Sequence, residues 1–205
     1  MDYITKNTFT KEIHPWQPFV PKNADKLILG TFPTHERNRG TYKFYYPNTN
    51  NEFWKILFDI AGLGLEDSQE KDPIKLRKHV LTKLGLGIAD ICTVIYRQKT
   101  SSNDNALFPI EFTDIFLLLD NHPSIKTLIV TSSSKNSSTL AWLHQYCNLN
   151  GYTFKIPKGR LPKSTILNFT NRTIRIEIIP SSSGQSPIKG NERLEMYKIA
   201  LLKST

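Results

Sequence analysis

Cysteine is scarce in this chain of 205 residues: Cys92 and Cys147 are the two present. They stand far apart and neither belongs to a CxxC pair, which argues against a zinc site or a cysteine-held iron–sulfur cluster, each needing about four ligands. Few cysteines also predict a reducing compartment. Long apolar runs are missing, and no stretch approaches the roughly 20 residues that a membrane-spanning helix needs. The opening MDYITKNTFTKEIHPW carries charges throughout and lacks the apolar centre of a secretion signal. A cytoplasmic protein is therefore expected. Acidic residues are in deficit, 18 against 27 Lys and Arg, for a net charge of +9. Such a surface attracts polyanions, most commonly nucleic acid, although a basic balance also serves solubility alone.

What is present is an alternation of short apolar runs with amphipathic stretches. KLILGT (26–31), GIADICTVIY (87–96), IKTLIVTSSS (125–134) and the pair KSTILNF and RTIRIEIIP read as strands. NEFWKILFDIAGLG reads as a helix with Asn51 as its N-cap and Gly62 as its stop. DPIKLRKHVLTKLG starts a second helix with Pro73 at the first position. EFTDIFLLLDNHP, STLAWLHQYCNLNG and GNERLEMYKIALLK complete the set. The alternation predicts an α/β fold, a parallel sheet covered by helices on both faces. Residues 1–24 read as an irregular N-terminal arm, because HPWQPFVP has too many prolines for a helix or a central strand. Trp16 and Phe19 are expected to pack onto the domain, which spans 25–205.

In open parallel sheets, sites form at the carboxyl ends of the strands. Four loops fall there: GTFPTHERNRGTYKFYYPNTN, RQKTSSND, TSSSKN and PSSSGQSP. None supplies a Ser–His–Asp set, an HExxH helix or a Walker A loop, which speaks against a phosphotransferase, a nucleophile hydrolase or a dinucleotide enzyme. The first loop is large, aromatic and basic. Its Arg37, Arg39 and Lys43 suit either plain solvation or docking of phosphates. His35 beside them reads as a surface residue. Asp90 is the carboxylate placed at the sheet's carboxyl edge, fit to pair with Arg97, to cap a turn or to activate water. The amides of PSSSGQSP, followed by a helix N-terminus, suit a phosphate.

GTFP, FYYPNTNNEFWKIL and the late PSSSGQSP, taken in that order, resemble the uracil-DNA glycosylase superfamily, in particular its mismatch-specific uracil-DNA and hypoxanthine-DNA glycosylase branches. The segment GIADICTVIYRQKTSSNDNAL resembles the hypoxanthine branch, with an Asp at the strand end and a later Arg and Ser-x-Asp. The resemblance implies a three-layer fold with a central four-stranded, mostly parallel sheet between helices. It also implies hydrolysis of an N-glycosidic bond after the base is swung out of the stack. Gly30 and Pro33 match the ends of a G-x-x-P motif. Phe32 stands where many members carry a water-handling Asp or Asn, and is assigned to the base pocket. Asn51 matches the functional Asn before the FW pair, and Tyr46 the aromatic that stacks on the flipped base. Thr131 and Ser132 lie where a pocket-floor Asn often stands. Ser181 takes the place of an Asn or His. Ser183, Gly184 and Ser186 match S-G-x-S, and Gln185 sits at the position of the wedge that enters the duplex.

The resulting expectation is a monomeric DNA glycosylase that removes uracil or hypoxanthine, with Asn51 and Asp90 as catalytic candidates and no metal, cofactor or lyase step. DNA is the expected partner, with no membrane. Two other readings stay open: a non-catalytic DNA-binding module of the same fold, and an N-glycosidase acting on free nucleosides or nucleotides.

Overall fold

The computed structural model describes residues 9–40, 43–64, 71–134 and 136–202. Three apolar runs become strands buried at every position: β2 (Lys26–Gly30), β3 (Leu86–Asp90) and β6 (Thr127–Val130). Continuous burial is what a strand covered on both faces requires. They join β8 (Arg172–Ile178) and β7 (Lys163–Phe169) in one sheet of order β3-β2-β6-β8-β7. The first four strands are parallel, and β7 closes the edge antiparallel to β8. The expected parallel four-strand core is therefore present, with one antiparallel strand added.

Side chains alternate between two apolar layers. Leu27 and Leu29 of β2 enter one layer with Leu128, Val130 and Trp142; Ile28 enters the other with Ile88, Ile129 and Phe53. The first layer is roofed by α3 (Ile115–Asn121) and α4 (Thr139–Leu149), the second by α1 (Phe53–Ala61), α2 (Pro73–Lys83) and α5 (Gly190–Leu202). Asp72 caps α2 by accepting from Ile74 N at 2.9 Å, with Pro73 at the first turn. At α1, Glu52 occupies the N-cap position rather than Asn51. Asn51 still serves the helix, its Oδ1 accepting from Phe53 N at 2.9 Å. Gly62 ends α1 in the left-handed region at φ 62°.

Three local expectations are corrected. Residues Phe9–Ile13, read as irregular, form β1, paired antiparallel to β4 (Cys92–Gln98). Among the described residues of the arm, the proline-rich part that follows is irregular, and Trp16 and Phe19 do pack on the second apolar layer; residues 1–8 lie outside the described residues. GIADICTVIY is two strands, β3 and β4, in different sheets, broken at Ile91. There the chain turns, with Ile91 N donating to Gly30 O at 2.9 Å. The segment after the polar loop forms β5 (Leu107–Phe112), which pairs with β4, so α3 starts later than expected, at Ile115. Pro109 is tolerated in β5 because that strand lies at a sheet edge. The small sheet β1-β4-β5 thus stands beside the carboxyl ends of the large one.

Candidate functional site

A cleft of about 760 Å³ opens at the carboxyl ends of β2, β3, β6 and β8. All four loops singled out above contribute to its wall. Its floor is built on glycine. Gly30, the last residue of β2, is in register with Asp90, the last residue of β3. A β-carbon at position 30 would overlap Asp90 Oδ1 and lie 3.0 Å from the Tyr46 hydroxyl. The glycine therefore leaves room for a carboxylate and a phenol to meet over the strand end.

Asp90 is buried. Its Oδ2 lies 2.9 Å from Nε2 of His14, which comes from the proline-rich segment after β1. Its main-chain carbonyl accepts from Thr113 Oγ1 at 2.6 Å. Asp90 also walls a smaller cavity of about 180 Å³ shared with His14, Trp16 and Tyr45. Of the alternatives open for Asp90, pairing with Arg97 is not the one found. Arg97, fully buried, donates from Nε and Nη2 to the two oxygens of Glu12, at 2.8 and 3.1 Å. It also donates to the carbonyls of Pro33 and Ser101, at 2.7 and 2.6 Å. One guanidinium thus ties β1, the loop after β2 and the polar loop together, a use of its fixed fork of donors.

Tyr46 has φ 50°, a backbone region that side chains other than glycine seldom occupy. Its ring stacks on Phe53 with centroids 3.9 Å apart, and its hydroxyl lies 3.2 Å from Thr131 Oγ1. Burial raises its phenol well above the ordinary range, with Asp90 adding to the effect. Of the three consecutive aromatics, Phe44 and Tyr45 belong to the core and Tyr46 lines the cleft. Phe32 also lines it, held edge-to-face against His14 at 5.4 Å. The Thr131 hydroxyl, also in the cleft wall, donates to Leu29 O at 3.3 Å and is shared with Tyr46. Ser132 Oγ accepts from Thr139 N at 2.9 Å.

On the opposite wall, Asn51 makes an isolated bridge to Ser183. The PSSSGQSP loop is tightly folded on itself. Ser181 Oγ accepts from Ser183 N, Ser183 Oγ accepts from Gln185 N, both at 3.2 Å, and Ser183 O accepts from Ser186 N at 3.0 Å. Those three amides are used inside the loop, so the expected ring of phosphate-gripping amides is reduced. Gly184 passes close to the first loop, where an added β-carbon would lie 3.1 Å from Asn50 O. Gln185 is exposed at the rim. Arg193 of α5, fully buried, anchors the loop from below through the carbonyls of Ser182, Ser183 and Ile188 and through Glu52.

The basic residues of the first loop are not part of the cleft wall. Arg37 and Lys43 are exposed. Arg39 is half-buried, donates to Thr34 O at 2.8 Å and lies over Trp16. His35 caps the short 3-10 turn Glu36–Asn38.

Two groups beside Asp90 were given no role by sequence reasoning. His14 holds Asp90, and nothing local to HPWQPFVP signals it. Asp104 lines the cleft and accepts from Thr31 Oγ1 at 2.9 Å. Burial pushes its carboxyl up to about 6, opposed by the Thr31 hydrogen bond and by Arg97 and reinforced by Asp90. The signal for Asp104 was available in the Ser102-Asn103-Asp104 triplet.

No family model matches the chain. Two curated relatives called hypoxanthine DNA glycosylase align with it. The one from Methanosarcina acetivorans is 27% identical over 109 residues, covering 53% of this chain and 64% of the relative. The one from Methanosarcina barkeri is 25% identical over 112 residues, covering 55% and 66%. The chain spans just under two thirds of each relative's length. A solution NMR structure from Methanosarcina acetivorans, described as a candidate uracil DNA glycosylase, superposes with a TM-score of 0.61 at 18% identity, over 94% of this chain and 97% of that one. The chain shares its fold with that solved structure. The turn Gly30–Pro33, Asn51 before the FW pair and the late serine loop all border one cleft.

Proposed function

We propose that the protein is a DNA glycosylase that swings a deaminated base, hypoxanthine or uracil, out of DNA and hydrolyses its N-glycosidic bond. The observation that carries this reading is the convergence of Asp90, Tyr46 and Asn51 on one cleft at the carboxyl edge of the sheet. Tyr46, fixed against Phe53, offers a rigid flat surface to an extruded base. Asp90, anchored by His14, has its second oxygen over Gly30, placed to take a proton from water or to steady a sugar cation. Asn51 spends its side-chain oxygen on Phe53 N, which suits orienting a water through its NH2 group better than activating one. Phe32 offers no polar group, so in this reading Asp90 carries the water. Gln185 at the exposed rim is the group to fill the vacated stack, with Ser181, Ser183, Gly184 and Ser186 shaping the turn that presents it. Arg37, Arg39 and Lys43 approach the flanking phosphates. The chemistry is hydrolysis with no cofactor and no lyase step.

The test is release of labelled base from duplex and single-stranded DNA carrying hypoxanthine, uracil or xanthine, with abasic sites cut by alkali. Release of at least one lesion base, lost in Asp90→Asn, supports the reading. Salt-dependent DNA binding without release of any base would instead identify a binding module, for which the committed Asn51 oxygen and the apolar Phe32 would be the structural reasons.

A further inference from the structure

The end of β2 seats two carboxylates on consecutive residues. Gly30 lies beneath Asp90, and Thr31 donates its hydroxyl hydrogen to Asp104. Both carboxylates line the same cleft, yet their surroundings differ. Asp90 faces a buried imidazole, and Asp104 faces one hydroxyl. Two acids held at one site in unlike surroundings are the arrangement from which an acid and a base can be divided.

Resting on the glycosylase reading above, we infer that Asp104 is the general acid that protonates a purine leaving group. The chemistry of hypoxanthine and uracil differs. Uracil departs as an anion spread over two carbonyls and needs no proton. A purine leaves far more readily when N7 is protonated. In the step, the Asp104 carboxyl gives its proton to N7 while the C1′–N9 bond breaks and its electron pair stays on the base. The sugar is left as an oxocarbenium ion. Water attacks C1′ and passes a proton to Asp90. The neutral base departs, and proton exchange with solvent returns Asp104 to the acid and Asp90 to the carboxylate. The sum is one water consumed per base released.

The groups around Asp104 fit this role. The Thr31 hydroxyl and Arg97 favour its ionised form, whereas burial and Asp90 favour the proton. Tyr46 and Cys92, the other ionisable neighbours coupled to it, are held neutral by burial. The balance leaves its carboxyl titrating near 6, where a general acid serves a near-neutral reaction.

The experiment compares single-turnover release of hypoxanthine, uracil and 7-deazahypoxanthine, which lacks the protonation site, across pH. General acid catalysis contributes about 100- to 10,000-fold, so Asp104→Asn should lower hypoxanthine release within that range. Any uracil release should change little, and 7-deazahypoxanthine should be slow with wild type and insensitive to the substitution. Thr31→Val is the second variant. Removing its hydroxyl raises the Asp104 carboxyl further, so the fall in hypoxanthine release on the alkaline side should move to higher pH. Equal losses on all three bases, or no loss on hypoxanthine, would overturn the inference while leaving a glycosylase. No release of any base by the wild-type protein would overturn the glycosylase reading itself and the inference with it.

Discussion

His14 Nε2 lies 2.9 Å from Asp90 Oδ2, with the two side chains only 6% and 7% exposed. The imidazole is fixed from its other side, where Nδ1 is 2.7 Å from Trp16 O and 3.1 Å from Trp16 N. The proline-rich segment is thereby part of the site, because it orients the carboxylate that borders the cleft. Losing the partner of a buried polar group costs about 1–3 kcal/mol, so His14→Ala should lower stability by that order in urea denaturation. It should also lower kcat for base release more than it raises KM, since Asp90 loses its orientation rather than the substrate its pocket. His14→Gln, which restores a donor, should recover part of kcat. A stable His14→Ala protein with unchanged kcat would remove His14 from any positioning role.

Gly30→Ala should be poorly tolerated despite adding one methyl group. The new β-carbon falls on Asp90 Oδ1 and against the Tyr46 hydroxyl. Either the carboxylate swings away from His14 or β2 shifts against β3. Overpacking of this kind costs about 1–3 kcal/mol. Thermal unfolding should show the loss, and base release should fall further than stability alone explains. Unaltered release would mean that Asp90 need not sit where it is found.

Tyr46 separates two functions of one ring. Tyr46→Phe removes the contact with Thr131 but keeps the stack on Phe53. It should bind lesion DNA nearly as wild type does. Tyr46→Ala removes the flat surface, and base–aromatic stacking is worth about 1–3 kcal/mol, or roughly 5- to 150-fold in affinity. Fluorescence anisotropy with lesion and undamaged DNA checks this: the loss should appear on lesion DNA alone.

The parts of this molecule that were legible in its sequence are those whose order is local. KLILG and TLIV are apolar throughout because both faces of β2 and β6 are covered, and such runs read as buried strands. The FW pair marks α1 because its apolar face is continuous. FTKEI was not legible: it is largely exposed, and its strand character comes from pairing with β4, far along the chain. The break at Ile91 arises from a hydrogen bond to Gly30, which no periodicity within GIADICTVIY encodes. The same holds at the site. Tyr46, Asn51 and Asp90 stand at motif positions or strand ends, whereas His14 acquires its role from a residue 76 positions away. Asp104 was visible as part of a triplet, but its desolvation comes from the folded walls around it.

Asp104 also predicts a pH dependence of stability. The carboxyl rises from the ordinary 3.8 to about 6 on folding. The folded chain therefore binds this proton more tightly than the unfolded chain. Its stabilising contribution is full below the unfolded value of 3.8, declines as pH rises, and is lost above about 6, where the ionised group weighs against the fold. Asp104→Asn, neutral at every pH, should raise Tm relative to wild type above pH 6 and make little difference at about pH 4. Thermal scans across that window check it. A wild-type advantage at alkaline pH would mean that the carboxylate is stabilised, not penalised, in the cleft.

Arg193 is the foundation of the serine loop. Fully buried, it donates to Ile188 O at 2.8 Å, Ser182 O at 3.0 Å and Ser183 O at 3.3 Å, and pairs with Glu52 at 2.9 Å. Glu52 in turn donates its amide to Ser182 O at 3.0 Å, which ties the loop to the start of α1 beside Asn51. Arg193→Met keeps the length of the side chain and removes every donor. Ser182 O and Ser183 O keep the amides of Glu52 and Ser186, so the loss falls chiefly on Ile188 O, and a carbonyl left without its partner costs about 1–3 kcal/mol. Arg193→Lys, with one compact ammonium in place of a planar fork, should recover only part of it. The effect should reach the cleft, because the loop that carries Ser183 and Gln185 loses its anchor. Hydrogen exchange at the Ser183, Gln185 and Ser186 amides should quicken in Arg193→Met more than exchange in β2 or β6. If those amides stay protected while the whole protein loses stability evenly, Arg193 supports the fold at large and not the loop.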